Sequence, residues 1–461
     1  MASRVFSVML RSTQKFKRAG KPPKNFLERL PSEILIKILS YLDASTLFTL
    51  SVVSKHFHTL ANDNLLWRNI YLAEFGKDEK KRLKRVDDVL LKMAKMELQK
   101  CADGHWKLLF FKTLAACDMN KWKRRLRVIS QHTGLPSQTE QVLRNLNVTW
   151  ELTVSDKSGR EDTLELRLCQ FCETSVYLCF EAGGCSLSYQ QISTLQLHGV
   201  RRIALSCPGL KNPGWRSLMA KFNMQTLSKN AQLIGQDKLI QLKLLQPGII
   251  VCTWKGQHSI AFIMLTLHYY RLVERSIQGS PISPFVESID RPPFDDVDPQ
   301  YGLHGYQLHI VLHNTMDTLM SERFTQLSCH RTEIREGLIR LTAISKTNLS
   351  LHTRLTGNIN LPWRCEVLKA AVENCCIMSL TLLDEFRKPF WCISSPVFLK
   401  PENVSASYDY DGDHFQIHYS HPDGLVKIGL VWLMEQKQFV VISLKIYVSV
   451  SKVNEHFHRE Y

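Results

Sequence analysis

The sequence predicts an α+β multidomain chain. It comprises a three-helix module near the N-terminus, a helical linker, and a C-terminal, mostly antiparallel β-sandwich or barrel-like domain with few helices. Three observations predict it. Apolar residues between Leu30 and Trp67 recur at helical spacings of three and four. Helical patterning with wet, charged faces continues over Val86–Gln99 and Trp106–Arg127. Beyond Asn147 the pattern changes to short runs of β-branched and aromatic residues separated by turn residues such as Lys157-Ser158-Gly159.

The first 24 residues contain no acid and mix Arg, Lys and Ser with a few apolar residues, so residues 1–24 are expected to be a disordered basic tail. A mitochondrial presequence has a similar composition. Residues 25–75 form the expected helical module. Pro31 suits a first helical position, because its missing N–H would be unpaired there anyway. Glu33 follows in the first turn, where a carboxylate complements the positive end of the helix dipole. Ile34, Leu35, Ile38, Leu39 and Leu42 then fall on one helix face. Asp43 can cap the next helix, which Leu47, Leu50, Val53, Phe57 and Leu60 continue. Asp63 and Asn64 offer another cap ahead of Leu65, Leu66, Trp67 and Ile70. A module of about 45 residues has a thin core and rarely stands alone. Each large aliphatic side chain contributes roughly 1.5–3 kcal/mol when fully buried, and this segment carries more of them than its own interior can cover. The surplus calls for a partner or for the rest of the chain.

The pattern of these residues, with Leu30-Pro31 at its start, Val53-Ser54-Lys55 in its middle and Trp67 at its end, resembles the F-box family. The resemblance implies a module that docks on a Skp-type adaptor within an SCF (Skp–cullin–F-box) ubiquitin ligase, alongside a cullin scaffold and a RING subunit. It further implies that Leu30, Pro31, Ile34, Leu35, Ile38, Leu39, Leu47, Val53, Phe57 and Trp67 serve adaptor docking or the core that presents it, with Leu30 and Pro31 the foremost contact candidates. The stretches Leu272–Ser276, Tyr301–His309 and Leu382–Cys392 resemble one particular member of that family and extend the likeness over most of the chain. They bring no substrate-binding residues with them.

Residues 76–135 read as a helical linker that sets a distance between docking module and cargo domain. Residues 140–461 read as the β-rich, substrate-binding domain, with strands expected at 148–154, 163–168, 176–180, 192–197, 249–254, 260–268, 306–312, 338–344, 377–383, 391–398, 415–419, 426–432 and 439–448. Gly214–Met224 reads as a helix after the turn signal Lys211-Asn212-Pro213. A Pro-rich and acidic connection at 279–300 interrupts the domain, and a loop of that length is usually functional or disordered.

Composition bounds the function. The 461 residues leave room for two or three domains, and 44% apolar content is ordinary for a globular protein. No run approaches the roughly 18 apolar residues that a membrane span needs, so no membrane role is expected. Thirteen cysteines without regular spacing, and no visible secretory signal, suit reduced thiols in the cytoplasm or nucleus. The net charge of +16 is concentrated at Arg4–Lys24, Lys77–Arg85 and Lys121–Arg127. Such clusters serve nuclear import or nucleic acid in other settings. No aromatic platform accompanies them, so nucleic acid is not an expected partner.

Candidate chemistry is sparse. Cys169 and Cys172 have metal-ligand spacing but no second ligand pair, which favours buried free thiols over zinc. Cys375 and Cys376 are neighbours on an expected strand and face opposite ways. His309 and His313 share a strand face and, with His304, read as half-buried histidines; no metal or other cofactor is expected. A nucleophile elbow, a phosphate loop and a His-Glu-x-x-His helix are all missing from the sequence. The expected role is therefore a non-catalytic substrate receptor for an undefined protein cargo. The competing readings are a scaffold that binds the adaptor without ubiquitin transfer, a basic nucleic-acid binder, and a hydrolase housed in the β domain.

Overall fold

The structure is a computed structural model that describes residues 30–83, 104–115, 119–183, 188–202, 214–236, 238–245, 248–286, 298–364, 369–402 and 410–461. The expected N-terminal tail, the expected helix over Val86–Gln99 and the centre of the 279–300 connection lie outside these residues. The described chain divides into two compact units, one holding the helices up to Phe111 and one holding the β-rich remainder.

The first unit contains α1 (Ser32–Leu39), α2 (Ala44–Leu50), α3 (Lys55–Ala61), α4 (Asn64–Leu83) and the part of α5 (His105–Ala115) up to Phe111. The run from Leu47 to Leu60, read from its spacing as one helix, is two. Ser54 is extended and its hydroxyl accepts the Phe57 N–H at 3.2 Å, so the chain restarts helically at Lys55. Pro31 also departs from its expected place. It is the residue before the first helical position, with ψ at 146°, and its carbonyl accepts the N–H groups of Ile34 and Leu35.

The second unit begins with α6 (Met119–Leu126) and α7 (Thr139–Asn145). A nine-stranded sheet follows, built from β1 (Val148–Asp156), β2 (Glu161–Phe171), β3 (Ser175–Glu181), β4 (Ile192–Arg202), β5 (Gly214–Asn223), β6 (Gln232–Gln236), β7 (Ile240–Leu245), β8 (Ile249–Trp254) and β9 (Ile260–His268). All neighbours are antiparallel in the order β5-β4-β1-β2-β3-β9-β8-β7-β6. One face packs Trp150, Leu152, Phe180 and Leu195 against Leu272, Val273 and Ile277, which lie on the short helix following β9. That helix is α9 (Leu272–Gln278), preceded along the chain by α8 (Met224–Ser228). Trp150 donates its indole N–H to the Ser276 hydroxyl at 3.2 Å, and a Cβ added at Gly199 would lie 2.3 Å from the Ser276 carbonyl oxygen. Only glycine lets α9 approach β4 so closely.

The segment Gly214–Met224, expected as a helix, is strand β5 as far as Asn223, and Met224 opens α8. Trp215, Leu218, Met219 and Phe222 sit at helical spacing, which is what the pattern reports. The pairing with β4 carries a bulge between Leu197 and His198, so the burial of β5 slips out of strict alternation.

The second sheet is formed by β10 (Tyr306–His313), β11 (Thr318–Leu327), β12 (Leu338–Ile344), β13 (Thr353–Arg354), β16 (Cys375–Leu383), β17 (Pro389–Pro401), β18 (Asp413–His421), β19 (Gly424–Leu433) and β20 (Gln438–Ser449), with β14 (Asn360–Arg364) and β15 (Lys369–Glu373) pairing apart as a hairpin. The order is β11-β10-β16-β17-β18-β19-β20-β12, and the end strands β11 and β12 lie against each other, so the sheet nearly closes into a barrel. Leu308, Ile310, Leu312, Ile417, Ile428 and Leu444 fill its interior, and α10 (Val450–Phe457) contributes Val453 and Phe457 to the same core. All nine residues of β16 are buried. Cys376 and Met378 belong to the barrel interior, whereas Cys375 and Ile377 pack with Phe262, Met264 and Trp363 between the sheets. The two adjacent thiols therefore face opposite layers, as strand geometry requires.

A buried histidine gives this unit an expected acid sensitivity. His268 accepts the Tyr270 N–H on Nδ1 at 3.1 Å and donates from Nε2 to the Thr381 hydroxyl at 3.0 Å. Burial, reinforced by the charge of Arg275, pushes its pKa down to about 3 from the usual 6.5. Between these two values the unfolded chain binds a proton that the folded chain refuses. The stabilising difference is intact above pH 6.5 and is lost as pH falls, at up to about 1.4 kcal/mol per pH unit for this group. Urea unfolding followed from pH 7 to pH 4 should show that decline, and His268→Gln should make the slope shallower.

Candidate docking surface

The first unit is assembled around caps and rings. Asp43 accepts the Thr46 N–H at 3.0 Å and starts α2; hydrogen bonds from Thr46 hold its carboxyl below the usual carboxylate range. Asp63 accepts the N–H groups of Leu65 and Leu66 at 2.8 and 3.2 Å at the start of α4. Both caps stand where the sequence suggested. Trp67 is fully buried, donates its indole N–H to the Ala61 carbonyl at 2.7 Å, and meets the rings of Phe110 and Phe111 at centroid distances of 5.4 and 5.5 Å. Phe48 closes on Phe111 edge-on at 5.9 Å. Lys107 spans this base, with its ammonium 2.7 Å from the Asn62 side-chain oxygen and over the rings of Phe48 and Trp67. Burial lowers its pKa.

On this base the candidate residues separate into two sets. Leu35, Leu39, Leu47 and Trp67 are buried and form the core. Leu30, Pro31, Ile34, Ile38 and Val53 are exposed, and Phe57 is half-buried. The division runs along α1. Ile34 and Ile38 are 49% and 45% exposed, while their sequence neighbours Leu35 and Leu39 face inward. Tyr41 continues the outer row with Lys37 over its ring at 5.5 Å, and Val52 and Val53 lie in the turn between α2 and α3. Large apolar residues exposed at helical spacing on one face mark an interaction surface when they cluster. Tyr41, Val52 and Leu65 were not among the sequence candidates, although Tyr41 stands two helical turns beyond Ile34. The Phe110-Phe111 base was missed as well; the doublet inside an apolar helical run was the available signal.

The second unit has a cavity of about 310 Å³ with Phe222, Tyr270, Trp391 and Tyr419 in its walls and Arg275 and Asp423 among its polar groups. Arg275 donates to the His268 carbonyl at 3.1 Å. Cys169 and Cys172 are free, half-buried thiols, both pushed up to about 11 by burial, which disfavours the thiolate that zinc requires. Nearby Cys179 is buried on β3, and Cys185 lies outside the described residues.

Comparison with known proteins bears on the first unit and on the whole chain. The F-box-like family model matches residues 27–73, which hold all of α1–α3 and the start of α4. Over 443 residues, 95% of this chain and 86% of the relative, the sequence is 35% identical to F-box only protein 15 of Homo sapiens. The F-box only protein 15 of Mus musculus is 31% identical over 94% of this chain and its own full length. A short match, 49% identical over 49 residues, or 11% of this chain and 7% of the relative, is to the ubiquitin ligase complex F-box protein UFO1 of Saccharomyces cerevisiae. The long matches cover both units, and the chain belongs to the F-box only protein 15 family of F-box proteins.

Proposed function

We propose that this protein is the substrate-recognition subunit of an SCF ubiquitin-protein ligase. It would dock on a Skp-type adaptor through α1 and the α2–α3 turn and present a protein cargo held by the β-rich unit. The observation that carries this reading is the outer row of α1: Ile34 and Ile38, with Leu30 just before the helix and Tyr41 just after it, are exposed, while Leu35 and Leu39 already fill the core. An adaptor would cover that row and supply the burial that so small a unit needs. Cullin and RING subunit would join through the adaptor, and no active site on this chain is required. Holding cargo beside a charged conjugating enzyme raises its effective concentration there, which is the whole of the receptor's contribution. The aromatic cavity of the second unit offers a cargo side chain an apolar seat with polar groups at hand. The eight cysteines among the described residues are outside any disulfide, which accords with a reducing compartment, and we place the protein in the cytoplasm, the nucleus or both. Among the described residues no helix is long and apolar enough to cross a membrane.

The test has two steps. Proximity labelling compared between the intact chain and one lacking residues 25–72 identifies proteins held by the second unit. Those proteins are then offered to the complex reconstituted from this chain, a Skp-type adaptor, cullin, RING subunit and conjugating enzyme. Ubiquitin transfer that depends on residues 25–72 is the expected result. Adaptor binding without transfer to any labelled protein would make the chain an adaptor-bound scaffold instead.

A further inference from the structure

Outside the docking surface, three chain segments far apart in sequence bring metal-ligating groups together. His132 lies in the connection between α6 and α7, Glu173 in the turn between β2 and β3, and His309 on β10. Their ligand atoms all fall within 4.8 Å of one another. His309 Nε2 is 3.5 Å from Glu173 Oε1, and His132 Nε2 is 3.8 Å from the same oxygen. The Ser321 hydroxyl on β11 lies 3.2 Å from His309 Nε2, 3.4 Å from His132 Nε2 and 3.1 Å from Glu173 Oε1. Tetrahedral zinc with bonds of 2.0–2.1 Å sets its donors about 3.4 Å apart. Five of the six edges of this four-atom set thus already lie near that length.

We propose that His132, Glu173 and His309 bind one divalent transition-metal ion, with zinc as the reference, and that the ion ties the α6–α7 connection and the β2–β3 turn to the barrel sheet. Two imidazoles and one carboxylate are a donor set that zinc accepts, with the fourth corner left to Ser321 or to a water it holds. His309 is 1% exposed and fixed on a strand, so one donor is positioned in advance. His132 and Glu173 are exposed and leave an entry path. The two imidazole rings stand edge to face at 4.9 Å. Arg323, paired with His309 across the sheet, bonds the Gln307 side-chain oxygen at 2.7 Å and the Gln131 carbonyl; these contacts occupy its guanidinium. Sequence spacing could not disclose this set, because only His309 belongs to the histidine group visible along the chain.

The test uses the full-length protein and metal alone. Zinc titrated in competition with a chromophoric chelator should bind at one equivalent per chain, and cobalt(II) should give the visible spectrum of a low-coordinate nitrogen and oxygen site. His132→Ala, at an exposed position, and Glu173→Gln should each weaken binding at least tenfold while circular dichroism stays unchanged. Cys169→Ser with Cys172→Ser should leave it as it was. Zinc should also raise the unfolding temperature of the wild type and not of His132→Ala. Wild-type protein that takes up neither zinc nor cobalt stoichiometrically, or a His132→Ala protein that binds them as tightly, would overturn the proposal.

Discussion

Ile34→Asp combined with Ile38→Asp is expected to leave the protein folded and to remove its affinity for a Skp-type adaptor. Both side chains are about half exposed in the free chain, so their replacement takes little from the core. In the complex the exposed half of each isoleucine would be buried, a contribution of roughly 0.7–1.5 kcal/mol per side chain. Two carboxylates on the same row would also have to be desolvated without partners. The combined loss is at least about 1.5–3 kcal/mol, or roughly 10–10²-fold in affinity, before the carboxylate desolvation is added. Calorimetric titration with purified adaptor measures the loss, and a thermal melt within a few degrees of wild type shows that the fold survives. Undiminished binding would place the adaptor contact elsewhere.

Trp67→Ala is expected to act by the opposite route. The indole is fully buried, bonded to the Ala61 carbonyl and packed between Phe110 and Phe111 under the Lys107 ammonium. Its removal costs about 3–5 kcal/mol in comparable cores, which is a large share of what a unit this small can muster. The Lys107 side chain would lose part of the aromatic floor beneath it as well. Hydrogen exchange over 32–75 should approach that of an unfolded segment, whereas exchange in the barrel strands should hardly change. Adaptor binding would fall too, and excess adaptor should restore part of the helical signal by mass action. A Trp67→Ala protein with native-like exchange in α1–α4 would show that the aromatic base is dispensable.

These two variants also mark what was legible in the sequence and what was not. The helices of the first unit announced themselves through apolar spacing and through Asp43 and Asp63, because a cap and a periodic face are local properties. The assignment of inner and outer residues was not legible. Ile34 and Leu35, and again Ile38 and Leu39, are adjacent apolar pairs, and only packing, which sets α1 against α3, decides which member turns inward.

In the second unit the strands with dense β-branched and aromatic runs, such as β9 and β20, were readable over most of their length. Strand β11 was not, since Ser321, Glu322, Arg323, Thr325 and Gln326 give it the composition of a loop; it forms because β10 offers a partner along its length. Strands β6, β7, β14 and β15 escaped for related reasons, being short edges or small hairpins. The helical look of β5 shows the converse failure, in which a bulge imitates another period. The sequence reads His309 and His313 as half-buried, yet both are fully buried, because β10 is covered on both faces.

We propose the outer row of α1 as the face that a Skp-type adaptor covers. Amide hydrogen exchange of the full-length chain, with and without saturating adaptor, addresses it most directly. Adaptor-dependent protection is expected to concentrate over residues 30–41 and at Val52 and Val53, with the barrel strands unchanged, and to be missing from the Ile34→Asp, Ile38→Asp protein. Unaltered exchange across residues 30–53 with adaptor present at saturating concentration, or protection that falls on the β-rich unit alone, would contradict it.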